Sequence, residues 1–255
     1  MSSFNLRGMK NEQLIYGARP IIEAIEAGKE IEKLFIQKSS TSPLIRELLQ
    51  KVRPFGTPIQ MVPVEKLNSM TRGNHQGVVA FLSMIAYQPI EEIVTNLFEK
   101  GKNPFILVLD RVTDVRNFGA IARTAECAGV DAIVIPDKGA AQINADALKT
   151  AAGALTKLPV CRTKSLAQTT KFLKDSGLQI FAVTEKGNVM YDLPEYRDPL
   201  ALIMGSEDQG IASDLLRMAD HMVRIPLMGK IGSLNVSVAA GILMFEVVHQ
   251  RSFVK

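Results

Sequence analysis

The chain has 255 residues, 47% hydrophobic and 22% charged, with a formal net charge of +4, enough for one good-sized core or two modest ones. No apolar run approaches the ~18–20 residues that span a bilayer, and the opening MSSFNLRGMKNEQ lacks the apolar core of a secretory leader, so a cytoplasmic protein without a membrane segment is expected. Only Cys127 and Cys161 are present, and His75, His221 and His249 are scattered; this excludes a disulfide framework or a spaced metal site and reads both cysteines as small core residues.

The charge is unevenly placed. Residues 1–88 hold 11 Lys and Arg against 7 Asp and Glu, whereas residues 89–255 hold 19 of each. A basic module joined to a neutral one suits a polyanion-binding unit beside a unit with another task; a solubility imbalance accounts for the same numbers. In this first part periodicity predicts helix 20–27, strand 31–36, helix 43–52, strand 59–62, a short helix 64–70 and strand 78–84. Alternation of this kind packs helices onto a small sheet. Before the last strand, Arg72-Gly73-Asn74-His75-Gln76-Gly77 is a polar, glycine-bracketed turn. Such a turn can present side chains to a base or ribose, or it is simply a turn with glycines at special backbone angles.

Tyr87-Gln88-Pro89 breaks the strand pattern, and 90–100 forms an amphipathic helix ending at Gly101. The expected organisation is a first domain over 1–88, a linker helix within 89–102 and a second domain over 103–255. From Phe105 the rhythm is one of apolar strands and helices: FILVL, helix 117–128 closed by Gly129, AIVIP, helix 145–155, PVCRT, helix 166–174, QIFAVT, LALIMG, helix 213–219, MVRIP and a final helix. Continuously apolar strands must be covered on both faces. The fold class is therefore α/β, with a parallel, doubly covered sheet whose ligand sits at the carboxyl ends of the strands.

Three strand ends carry polar groups. After FILVL come Asn117 and Arg123, after LALIMG come Ser206-Glu207-Asp208-Gln209-Gly210, and after MVRIP come Ser233, Asn235 and Ser237. Singly, each has a plain reading as a helix cap, a carboxylate near a helix start or a solvated charge. Jointly they mark one edge of a sheet. The last helix is apolar on every side and is expected to be buried all round, fixing its polar first turn as a preorganised pocket edge. No G-x-G-x-x-G follows the first strand, where Asp110-Arg111-Val112-Thr113-Asp114 stands instead, and Ile211-Ala212 replaces the Lys-Ser/Thr of a P-loop after Gly205–Gly210. Nucleoside triphosphate hydrolysis is not indicated.

NFGAIAR at 117–123, MGSEDQG at 204–210 and IPLMGKIGSLNVSVA at 225–239 resemble, in order and spacing, the three motifs of the SpoU (TrmH-type, SPOUT) RNA ribose 2′-O-methyltransferases. Residues from about 14 to 252, including YGARP and HQG, are similar to the RlmB branch of that family, which methylates a guanosine of 23S ribosomal RNA. The resemblance implies a second domain closed by a deep trefoil knot, an exception to the rule that chains do not thread, and homodimerisation through that domain. It also implies an L30e-like RNA-binding first domain and S-adenosylmethionine as cofactor, with no metal. The catalytic positions implied are Asn117, Arg123, Glu207, Ser233 and Asn235. Those at the cofactor are Thr184, Met204, Gly205, Ile225, Leu227 and Leu234, and those contacting ribosomal or transfer RNA are Arg72, Asn74, His75, Gln76 and Arg116. Arg123 is the family's proposed base; because a guanidinium normally stays charged, a phosphate clamp is the preferred role. Asp208 departs from the family pattern by adding an acid. A transfer-RNA or other ribosomal-RNA ribose 2′-O-methyltransferase of the same family, a catalytically silent RNA-binding protein, and a small-molecule methyltransferase or nucleotide enzyme are the alternatives.

Overall fold

The computed structural model describes residues 13–253 apart from 39, 41 and 54–56; most of the opening stretch read for a leader lies outside the described residues. The chain divides into two compact units, one of residues up to Ala86 together with 143–145, the other of residues 87–142 and from Asp146 onward.

The first unit runs β1 (Leu14–Tyr16), α1 (Ala18–Glu26), β2 (Ile31–Gln37), α2 (Pro43–Val52), β3 (Ile59–Val62), α3 (Val64–Met70) and β4 (Val78–Leu82). Its sheet has the order β1-β4-β2-β3, with β4 antiparallel to β1 and β2, and β3 parallel to β2. The two-residue side-chain period of a strand sorts β2 between two cores. Leu34 and Ile36 meet Ile21, Ile22, Ile45 and Leu48 of α1 and α2, while Phe35 meets Leu67 of α3 and Phe81. β1 was not expected from the sequence, because three residues are too few to display a period.

The second unit runs α4 (Ile90–Glu99), β5 (Phe105–Asp110), α5 (Val115–Cys127), β6 (Ala132–Pro136), α6 (Ala145–Thr150), β7 (Val160–Thr163), α7 (Leu166–Asp175), β8 (Gln179–Val183), β9 (Val189–Met190), β10 (Leu200–Gly205), α8 (Ser213–Met218), β11 (His221–Arg224) and α9 (Val236–Phe253). The seven strands lie in the order β7-β6-β5-β10-β8-β11-β9, every pair parallel. Ile90, Val94, Leu166, Leu173 and Leu215 from α4, α7 and α8 share one core with Ile106, Val108, Ile180 and Ile203. α5 and α9 pack on each other.

Four expectations need correction. The helix expected as a linker buries Ile90 and Val94 in the second unit's core, so it covers the sheet as well as joining the units. The helix expected over 145–155 stops at Thr150, because Ala152 and Gly153 take φ of 49° and 90°, which no α-helix accommodates. Cys161 is buried, and burial pushes its thiol up to about 12, with Glu91 adding to the shift; Cys127, by contrast, is exposed on α5. Finally, α9 is not buried all round: Ala240, Leu243, Met244 and Val247 are enclosed, but Val238 is 51% and Phe245 49% exposed.

The connection from β8 to β10 holds the far end of α9. Gln250 donates to the Pro194 carbonyl at 3.1 Å and accepts from the Tyr196 amide at 3.0 Å. Arg251 donates to the carbonyls of Tyr196, Asn103 and Asp198 at 3.0, 3.1 and 2.7 Å, with its guanidinium 5.5 Å from the Phe105 ring centre. Burial lowers the guanidinium pKa despite Asp131 and Asp198 nearby. The final helix is thus bound by a segment that precedes it by some 50 residues in the chain. Arg251→Ala removes all three donors at once, and an unfolding free energy lower by about 2–4 kcal/mol is expected in urea denaturation. A loss below about 1 kcal/mol would show that the segment is held by other contacts.

Candidate active site

Sheet register assembles the site. Gly205 stands opposite Asp110, Met204 opposite Val183, and Val223 also opposite Val183, so β5, β10, β8 and β11 end together at their carboxyl edge. Loops leaving three of these strands enclose a cavity of about 320 Å³, within the size range of small-molecule sites. Val183, Met204, Ile225, Leu227 and Leu234 give it apolar walls, and Glu185, Lys186, Glu207, Asp208 and Ser233 add polar groups. All six residues expected at a cofactor, Thr184, Met204, Gly205, Ile225, Leu227 and Leu234, line it.

The loop shapes follow from particular residues. At Gly205 a Cβ would lie 2.2 Å from the Gly210 carbonyl carbon. Only glycine lets the chain double back there, closed by the Gly210 amide donating to the Ser206 carbonyl at 2.9 Å. After β8, the Thr184 amide donates to the Val223 carbonyl at 2.9 Å and its hydroxyl accepts from the Lys186 amide at 3.3 Å. That turn carries Glu185 and Lys186 to the cavity. Neither had been singled out from the sequence, although their place just past a parallel strand marks them.

Glu207 joins three of the loops. Its Oε1 accepts from Asn117 Nδ2 at 3.0 Å, Asn235 Nδ2 at 2.8 Å and the Val236 amide at 3.2 Å. Asn235 Nδ2 also donates to Asn117 Oδ1 at 3.0 Å. Asn235 caps α9, its Oδ1 accepting from the Ser237 amide at 2.9 Å and hydroxyl at 2.5 Å. The Glu207 carboxylate thus sits on the positive end of α9. Asn117 does not open its helix as expected. Asp114 is the cap, accepting from the Arg116 and Asn117 amides at 2.8 and 2.9 Å, which frees the Asn117 side chain for the network. An Asp standing just before an apolar-periodic run was the missed signal.

Other expected residues stand apart. Ser233 lines the cavity outside the hydrogen-bonded network. Arg123 and Arg116 are exposed on α5, and Arg123 has no hydrogen-bond or ion-pair partner among the described residues. In the first unit Arg72, Asn74 and Gln76 are exposed, but His75 is buried. Its Nδ1 accepts from the Gly77 amide at 3.0 Å, so Nε2 carries the proton and donates to Asn68 Oδ1 at 2.8 Å. Both ring nitrogens are consumed within the unit. His75 is a frame for the turn, not part of its outer face. No cluster of three metal-ligating side chains occurs among the described residues, and none of their helices is long and apolar enough to cross a membrane.

Comparison with known proteins bears on this geometry. Residues 104–245 match the SpoU rRNA methylase family, and residues 14–88 match a family described as RNA 2′-O ribose methyltransferase substrate binding. The chain is 32% identical over 238 residues to YacO of Bacillus subtilis, named as a TrmH family tRNA/rRNA methyltransferase, covering 93% of this chain and 96% of that one. An AdoMet-bound rRNA methyltransferase from Sinorhizobium meliloti superposes with a TM-score of 0.60 at 26% identity, over 95% of this chain and 88% of that one. The SpoU methyltransferase AviRb from Streptomyces viridochromogenes, in complex with AdoMet, also reaches 0.60, at 25% identity over 93% and 90%.

Glu207→Ala strips the acceptor from two side-chain amides and from the Val236 N–H. Faster hydrogen exchange at Val236 is expected, with a stability loss of about 1–2 kcal/mol in chemical denaturation. Unaltered protection of that amide would show that Glu207 does not organise the helix start.

Proposed function

This chain belongs to the SpoU (TrmH-type) family of RNA methyltransferases, and we propose that it 2′-O-methylates a guanosine ribose of 23S ribosomal RNA. Its cofactor is S-adenosylmethionine, with which family structures have been crystallised. One observation carries the reading: Asn117, Glu207 and Asn235 meet at the lip of a cavity lined by all six expected cofactor positions. The cavity suits that cofactor, offering apolar walls to a purine and the carboxylates of Glu185 and Asp208 to cationic groups. The ribosomal substrate is favoured by the whole-chain resemblance to the RlmB branch; the tRNA/rRNA name of YacO keeps transfer RNA as the second reading.

When bound, the cofactor supplies a methyl group on a sulfonium centre. The residues of this chain orient the acceptor. Glu207 has Oε1 saturated by three donors, while Oε2 has no hydrogen-bond partner among the described residues and is available to accept from a ribose hydroxyl. Ser233 and the Asn117 and Asn235 amides complete the polar rim. Arg123, charged and unpartnered on α5, clamps an RNA phosphate beside the developing oxyanion. Residues 1–88 capture RNA, with Arg72, Asn74 and Gln76 on the outer face of the turn that His75 frames, and Arg116 adds a contact from 103–255. The apolar surface of Val238 and Phe245, with Met228 at 97% and Ile231 at 80% exposure in the loop before α9, supports a homodimer formed through this domain. A cytoplasmic location belongs to the same proposal.

Purified protein incubated with labelled methyl donor and either 23S or transfer RNA transcripts tests the reading, with 2′-O-methyl sites mapped by resistance to alkaline cleavage. A single guanosine in 23S RNA is the expected product. Methylation confined to transfer RNA moves the substrate to the second reading, and absence of both transfer and cofactor binding by calorimetry sinks the enzyme assignment. For the clamp, Arg123→Lys should keep its single-turnover rate at saturating RNA while RNA affinity falls by about tenfold. A rate that falls at saturating RNA would instead support the base role.

A further inference from the structure

Arg111 is the first residue after β5, and its φ is 58°, a left-handed conformation that is unfavourable for a residue bearing a Cβ. Its side chain uses this conformation to reach across the site. Nε and Nη2 donate to the two oxygens of Asp110, both at 2.9 Å. Nη2 also donates to the Gly210 carbonyl at 3.1 Å, and Nη1 to Gln209 Oε1 at 2.5 Å. Asp110, almost fully buried, accepts in addition from the Ala212 amide at 2.7 Å. The pair therefore grips Gln209, Gly210 and Ala212 from the end of β5.

That grip acts on the segment that carries Glu207. Ser206–Gly210 is a closed turn, with the Gln209 amide donating to Ser206 Oγ at 3.1 Å and the Gly210 amide to the Ser206 carbonyl at 2.9 Å. β10 fixes the start of the turn and Arg111 fixes its end, leaving Glu207 at the corner between two anchors. The same turn lines the cavity wall from Gly205 to Gly210. A single strained arginine at a strand end, with donors aimed at acceptors on three residues, is the kind of outlier from which function is inferred.

We propose that Arg111 is a positioning residue, acting through Gln209 and Gly210 to hold Glu207 against Asn117 and Asn235 and to shape the cofactor wall; this rests on the methyltransferase reading above. A fork is needed for the task. Lysine in its place retains the charge beside Asp110 but gathers its donors on one nitrogen, without the spread by which Nε, Nη1 and Nη2 reach Asp110, Gln209 and Gly210.

Arg111→Lys, Gln209→Leu and the double variant are compared with the wild type in three ways: urea unfolding, hydrogen exchange at amides 206–212, and calorimetric binding of S-adenosylmethionine with single-turnover methyl transfer. The expected result is an unfolding midpoint close to wild type, exchange at 206–212 faster by about tenfold, and cofactor affinity and transfer rate each lower by about tenfold. The double variant should be no worse than Arg111→Lys alone, because both break the same contact. A merely structural ion pair would lower the midpoint and leave loop exchange and cofactor affinity of the folded protein unchanged; that outcome, or losses that multiply in the double variant, overturns the proposal. Should Arg111→Lys not fold, Gln209→Leu decides alone, since Gln209 is exposed and its loss does not uncover a buried charge. A wild type that neither binds the cofactor nor transfers methyl refutes the enzyme reading, while loop exchange still reports on the clamp.

Discussion

One carboxylate oxygen makes three strand ends into a site. Glu207 Oε1 receives an amide from α5, an amide from the residue capping α9, and the first backbone N–H of α9. Sheet register brings β5, β10 and β11 to a common edge, but register alone leaves three exposed polar loops with no reason to agree on one geometry. Bonds to an ionised acceptor are roughly twice as strong as neutral ones, and this acceptor also answers the positive end of an 18-residue helix. Because Glu207 and Asn235 remain exposed, the junction carries no large desolvation penalty. Its work is to select one arrangement among many that water would otherwise tolerate.

That bears on how the chemistry is achieved. Transfer of a methyl group to a ribose hydroxyl needs in-line approach and loss of a poorly acidic proton. Correct orientation is worth up to about 7–11 kcal/mol, whereas a general base contributes roughly 10²- to 10⁴-fold, or about 3–5 kcal/mol. On the proposed reading, the hydrogen-bonded rim of Asn117, Glu207 and Asn235 serves the larger of these terms. It holds acceptors and donors in fixed directions.

Much of the fold was legible because its period is strong. FILVL, AIVIP and LALIMG read as strands covered on both faces, and that is how β5, β6 and β10 lie. β1 and β9 are too short to carry a period. α9 failed for the opposite reason: apolar residues all round leave no periodic signal, so composition predicted complete burial while Val238 and Phe245 face outward. Cys127 likewise follows from phase, lying two residues beyond Ala125 and so off the buried stripe of α5. For the site, the six positions expected at the cofactor line one cavity, yet side-chain commitments were invisible. Nothing local to RGNHQG shows that His75 is held by Asn68 seven residues earlier. Nor does DRVTD reveal that Arg111 adopts a positive φ; in the sequence it merely occupied the place where a glycine fingerprint was absent.

The bound tail supplies what the junction lacks, namely a reference point. α9 extends roughly 27 Å, at 1.5 Å for each of its 18 residues. Its first turn forms the site, while its last turn is tied by Gln250 and Arg251 to Pro194, Tyr196, Asp198 and Asn103 at the start of β5. β5 leads directly to Asp110 and Arg111. The circuit is therefore closed: β5 runs from the anchor to the clamp, and α9 runs from the same anchor to the cap, so the two sides of the Glu207 junction share a rigid base. A helix anchored only at its polar end would swing Asn235 with every fluctuation of the long loop 225–235, whose Met228 and Ile231 are almost wholly exposed. Tethering the far end by Gln250 and Arg251 therefore fixes the direction in which the first turn of α9 presents Asn235.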